Sequence, residues 1–134
     1  MWEKYAEEVG FVPFAKDTIR QTFDKLDEKE ILEIASAIGE TTMKELILLR
    51  FNKISFDNMI VFLETVFSRY GTVRHDIDGT LHHFQVYHGI SIKFSKFLAE
   101  IIRATSKDLS YKFRILDIDA NILSVEIQEL SKRP

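Results

Sequence analysis

After Gly71 the apolar residues of this sequence stop recurring every three or four positions and begin to alternate. A period of two belongs to a half-buried strand, because successive strand side chains point to opposite faces. Thr72 to Ile77 and Thr80 to His88 flank Asp78-Gly79, a pair with the turn chemistry of a type I′ hairpin. The pattern returns later, where Tyr111 to Ile118 and Ile122 to Leu130 turn through Asp119-Ala120-Asn121. Between the hairpins Ser91 is placed to cap a helix over Ile92 to Lys107, whose apolar stripe is Phe94, Phe97, Leu98, Ile101 and Ile102.

The two hairpins look alike. Tyr70 and Tyr111 correspond, and Asp76-Ile77-Asp78 recurs 41 residues on as Asp117-Ile118-Asp119. At the same spacing Leu81, Phe84 and Val86 fall on Ile122, Val125 and Ile127. Upstream of each hairpin, Phe62-Leu63-Glu64 is echoed by Phe97-Leu98-Ala99-Glu100. A helix-hairpin unit used twice implies an α+β fold: one four-stranded antiparallel sheet with helices covering one face.

The first part of the chain reads as helical. Met1 to Val9 carries Trp2, Tyr5 and Val9 on one side and ends at Gly10. Lys16 to Leu26 carries Ile19, Phe23 and Leu26. Asp27 with Glu30 forms a capping box for a helix bearing Ile31, Ile34, Ala35 and Ile38, which Gly39 should terminate. Thr41 or Thr42 should cap Met43 to Phe51. Ser55 opens the longest of these helices, with Met59, Ile60, Phe62, Leu63, Val66 and Phe67, stopping at Gly71. At 134 residues a single domain is expected, with a helical part over 1–54, the helix-hairpin pair over 55–130 and a frayed end over Ser131 to Pro134.

Composition narrows the functions. The net charge of −3 and the scatter of 18 basic residues do not make the concentrated positive face of a nucleic-acid-binding domain, so direct DNA binding is not expected. The absence of cysteine removes disulfides, thiolate metal sites and a cysteine nucleophile, and fits a reducing compartment. No apolar run approaches the roughly 18 residues of a membrane span. The acidic start (Glu3, Glu7, Glu8) is unlike a signal peptide, so the expected location is cytoplasmic. Eleven phenylalanines make an aromatic core or an apolar cavity the natural reading.

No serine nucleophile elbow, phosphate-cradling glycine loop or paired helical metal ligands occur, so a catalytic role is unsupported. All four histidines, His75, His82, His83 and His88, lie in the first hairpin. A two-residue turn at Asp78-Gly79 would set His75 opposite His82. Such a cross-strand pair is a weak candidate for zinc, nickel or copper, although its spacing matches no metal motif. Asp76, Asp78, Asp117 and Asp119 are explained by turn chemistry.

The stretch His88-Gly89-Ile90-Ser91-Ile92-Lys93-Phe94-Ser95-Lys96-Phe97-Leu98 resembles a pattern in the C-terminal domains of certain archaeal transcription-regulator-like proteins. That pattern runs His-Asn-Leu-Gly-x-Lys-Trp-Ser-x-Phe-Leu, and there the domain follows a DNA-binding segment of ribbon-helix-helix type. Trp2, Tyr5, Gly10-Phe11 and Lys16 resemble the same group. Ser91 stands for the pattern's glycine and Phe94 for its tryptophan, and the DNA-binding segment has no counterpart in this sequence. The chain is therefore expected to be a separated C-terminal domain or a stand-alone relative. The resemblance implies a ligand-sensing or dimerising regulatory module.

The order of elements is also similar to that of vinyl-reductase-like and haem-NO-binding sensor domains. Haem in that group hangs from a histidine on the helix before the first hairpin. Phe56 to Tyr70 has none, and no cofactor is expected.

The candidate ligand-binding residues are His88, Lys93, Phe94, Ser95 and Phe97. A strand-end imidazole, a helix start rich in free N–H groups, a lysine and an apolar wall would suit a small acidic or amphipathic ligand. A homodimer is expected, because hairpin edges need covering and ribbon-helix-helix proteins work in pairs. The alternatives are a pure oligomerisation or partner-binding domain, and a metal-binding protein using the hairpin histidines.

Overall fold

The computed structural model describes residues 11–107 and 109–130. The helix expected over Met1 to Val9 and the frayed end beyond Leu130 lie outside them. Helix α1 spans Phe11–Lys25 and begins earlier than the sequence suggested. Pro13 falls in its first turn, where a missing N–H breaks no helical hydrogen bond. Helix α2 spans Glu28–Ala37, and its N-cap Asp27 accepts from the Glu30 N–H at 2.9 Å, as expected.

Gly39 does not end α2. The chain passes through a wider π turn, Ile38–Met43, directly into α3, Lys44–Phe51, so neither Thr41 nor Thr42 caps a new helix. The glycine serves packing instead: a Cβ there would stand 2.6 Å from the Ala104 Cβ and 2.8 Å from the Ile101 carbonyl oxygen. Helix α3 ends at Asn52, whose φ of +61° is the left-handed conformation of a helix stop.

Helices α4 (Phe56–Phe67) and α5 (Ile92–Thr105) begin alike. Ser55 Oγ accepts from the Asn58 N–H at 3.2 Å, and Ser91 Oγ accepts from the Phe94 N–H at 3.1 Å. The strands are β1 (Thr72–Asp78), β2 (Leu81–Tyr87), β3 (Tyr111–Ile118) and β4 (Ile122–Glu129). They form one antiparallel sheet in the order β1-β2-β4-β3. Helix α4 packs on β1, α5 on β3 and β4, and α2 on α5. The core lies between these helices and the sheet, where Phe84, Val86, Leu123, Val125 and Ile127 meet Leu63, Phe67, Leu98 and Ile102.

The first hairpin turns one residue later than its sequence suggested. Asp78 pairs with Leu81, leaving Gly79-Thr80 as the two-residue loop. Gly79, with φ +62°, holds the first central position, the place of glycine in a type II′ turn rather than I′. The register moves by two, so His75 faces Phe84 and His82 faces Ile77. An even shift keeps every side chain on its expected face.

The internal repeat survives in three dimensions. Phe84 and Val125, 41 positions apart, are direct partners across the β2–β4 seam. A residue paired with its own repeat mate lies on a local two-fold axis. The flanking pairs obey the axis: Gln85↔Ser124 maps onto His83↔Glu126, and Val86↔Leu123 onto His82↔Ile127. Asp76↔His83 and Ile77↔His82 likewise become Asp117↔Ser124 and Ile118↔Leu123 in the second hairpin. The correspondence stops at an irregularity between Ile115 and Asp117, where Leu116 bulges and the register slips.

Candidate functional site

His88 to Phe97 is the crossover from β2 to α5. The chain leaves the sheet at His88, whose backbone N–H donates to the Asn121 carbonyl at 3.0 Å, and turns at Gly89 with φ +65°. The His88 side chain is 1% exposed. Its Nδ1 accepts from the Ile90 N–H at 2.9 Å, so the ring proton belongs on Nε2. Nε2–H then donates to Ser95 Oγ at 2.6 Å, and Ser95 Oγ–H donates to the Asp119 carbonyl at 2.8 Å. Burial, helped by the charge of Lys16 and opposed by Asp119, pushes the His88 pKa down to about 4. The ring is therefore neutral near pH 7. The ring's two hydrogen bonds, continued by that of Ser95 to Asp119, tie strand end, helix start and the second hairpin's turn together.

Lys93 also has partners inside the fold. Its Nζ donates to the Leu26 carbonyl at 2.7 Å, just beyond the end of α1, with the Asp24 carbonyl at 3.5 Å. A cation at a helix C-terminus completes its unsatisfied carbonyls and favours its dipole. Arg20 makes the reverse connection. Its Nε and Nη2 donate to the Ile90 and Gly89 carbonyls at 2.7 and 2.9 Å, while Nη1 meets Asp17 at 3.0 Å.

Between these two clamps the Phe23 ring of α1 sits 5.4 Å from Phe94 and 5.0 Å from Phe97. Phe94 is also packed by Tyr70 at 5.3 Å and His88 at 5.1 Å. At the start of α5 the Phe94 and Ser95 N–H groups are taken by Ser91 Oγ and the Ser91 carbonyl.

The structure thus brings His88, Lys93, Phe94, Ser95 and Phe97 together, and α1 is seated on them. Sequence reasoning did not anticipate Arg20 or the role of Phe23. The only available signal was their spacing of three on a helix, which puts both on one side of α1.

The His75–His82 pair forms differently from its expected register. His75 Nε2 and His82 Nδ1 are 2.9 Å apart, diagonally across the strands. Their ring centres are 5.1 Å apart, which places the rings end to end along a hydrogen bond. In that arrangement one lone pair points at the other ring's proton rather than both converging on a shared ion. Glu64 Oε2 lies 3.4 Å from His75 Nδ1, Phe84 stacks on His75 at 4.2 Å, and Phe56 meets the His82 ring edge at 5.1 Å. Among the described residues no group of three or more His, Asp or Glu is placed to hold a metal. Burial, and the neighbouring His75, lower the His82 pKa.

On the opposite face of the sheet a cleft of about 540 Å³ is lined by Leu81, Lys112, Arg114, Glu126 and Gln128. Arg114 and Glu126 are paired there at 2.6 Å. This is the solvated face common to antiparallel sheets covered on one side.

Neither a scan against family models nor searches of curated proteins and solved structures found a match to this chain.

Proposed function

We propose that the chain is a non-catalytic regulatory module of an archaeal transcription-regulator-like protein, acting in the cytoplasm and working by self-association into a homodimer. One observation carries the dimerising mode. Leu46, Leu48 and Leu49 of α3 stand in solvent, with 42%, 44% and 80% of their surface exposed. Leu46 and Leu49, three positions apart, share one side of this short helix, an apolar surface that an aqueous monomer gains nothing by keeping. The likeness of His88 to Leu98 to the archaeal pattern supports the regulatory setting. The dispersed charge supports a module that does not itself hold DNA. Among the described residues no helix is long and apolar enough to cross a membrane. Sedimentation equilibrium across a concentration series tests the reading: a dimer is expected, and a monomer persisting at high micromolar concentration overturns it.

The seat of α1 favours a second mode, sensing of an amphipathic acid. Phe23 presents an apolar body to Phe94 and Phe97, while the α1 end presents carbonyl oxygens to Lys93. A ligand with an apolar body and a carboxylate has the same two parts, and would bind by displacing the helix end. A thermal-shift screen of acidic metabolites and fatty acids checks this, since a ligand specific to the folded state raises the melting temperature. No shift with any of them removes the sensing mode and leaves the dimerising one.

A further inference from the structure

Helix α3 has two apolar sides and the fold uses one. Ile47 is fully buried and Phe51 packs against the core, whereas Leu46 and Leu49 face away from it. Leu46 and Leu49 are three residues apart, the spacing of the a and d positions of a coiled coil. Glu45 and Arg50 then take the flanking g and e positions of the same repeat. Among the described residues neither is in a salt bridge, although Arg50 lies 5.6 Å over the Phe51 ring.

We propose that α3 is the contact of a parallel, two-fold symmetric dimer, in which Leu46 and Leu49 pack on their counterparts and each Glu45 pairs with the partner copy's Arg50. The proposal rests on the dimerising reading above and names its surface and geometry. Charge complementarity identifies the partner as a second copy of this chain. A two-fold axis along the helices sets the g flank of one against the e flank of the other, five residues on, so that both ion pairs form at once. An antiparallel pairing would set like flanks together, Glu45 beside Glu45 and Arg50 beside Arg50. Two helical turns a side is a small interface, below roughly 1,200 Å², which suits a dimer that dissociates on dilution.

Sedimentation velocity on the full chain and its variants is the test. Leu49→Glu is expected to be monomeric with an unchanged melting temperature, because that side chain is mostly in water already. Glu45→Arg and Arg50→Glu should each weaken the dimer by about tenfold through unpaired like charges. The double variant should recover the original affinity. The cysteine-free sequence adds an orientation test: Leu49→Cys should form an intermolecular disulfide on mild oxidation, since d positions face each other in a parallel pair. If the unmutated protein is a dimer that Leu49→Glu leaves intact, this surface is wrong and the dimerising reading stands. If the single charge variants weaken the dimer and the double variant stays weak, the parallel arrangement is wrong. A monomeric unmutated protein ends the dimerising reading itself.

Discussion

At the scale of single residues, His88 is held neutral by burial, and this couples stability to pH. Its pKa falls to about 4 in the folded chain from an ordinary value of 6.5. Between those values the unfolded chain binds the proton and the folded one does not, so stability rises with pH across that window and is lost as pH falls through it. A depression of this size is worth on the order of 3 kcal/mol. Urea unfolding at pH 7.5 and pH 4.5 should show the loss, and His88→Ala should reduce the difference between the two pH values. That variant should also be less stable at pH 7.5 by about 1 kcal/mol or more, since Ile90 N–H and Ser95 Oγ lose their partner. An unchanged pH slope in His88→Ala would refute the assignment. Lys93→Ala should loosen the C-terminal turn of α1, by about 0.5–1 kcal/mol, because the Leu26 carbonyl loses a charged donor. Faster amide exchange confined to α1 checks it. The sequence marked both residues but not the role of Lys93. The partners of Lys93 are backbone carbonyls 67 and 69 residues away, and carbonyls carry no residue identity to read.

At the scale of elements, turn chemistry located the first hairpin without selecting which two residues make its loop. Asp78-Gly79 and Gly79-Thr80 both put glycine in a two-residue loop, and the chain uses the second, with Asp78 paired to Leu81. Because the two registers differ by two residues, the faces were legible while the pairings were not. Gly39 was misread for a related reason. Glycine ends helices by adopting positive φ, and it also lets two helices approach closely; only the tertiary structure distinguishes the uses. Gly39 packs against α5 at Ala104 and Ile101, so Gly39→Ala should destabilise the fold even though alanine is the better helix former. Overpacking of this kind costs roughly 1–3 kcal/mol. A gain in stability on thermal unfolding would show instead that α5 leaves room for the added methyl and that the glycine serves no close approach.

At the scale of the whole molecule, the local two-fold axis passes through a buried pair at the centre of the sheet. Phe84 and Val125 are 1% and 0% exposed, and each belongs to a central strand of the order β1-β2-β4-β3. The recurrence at 41 residues announced this much, although not that Phe84 would be paired with its own repeat mate. The two helix-hairpin units meet along the β2–β4 seam, so neither buries its inner face without the other. Among the described residues, helix α1, by contrast, reaches the rest through Arg20, Lys93, Ile19 and the Phe23 ring. The sheet with α2 to α5 should therefore unfold as one cooperative unit, and α1 should open locally at lower free energy. Native-state hydrogen exchange should find the slowest amides in β2 and β4 and much faster ones throughout α1. Phe84→Ala should cost about 3–5 kcal/mol through lost burial and the cavity left behind. Because the pair is shared, that loss should accelerate exchange in both hairpins equally. Exchange accelerated only in β1 and β2 would mean that the halves unfold separately and that the axis has no energetic meaning.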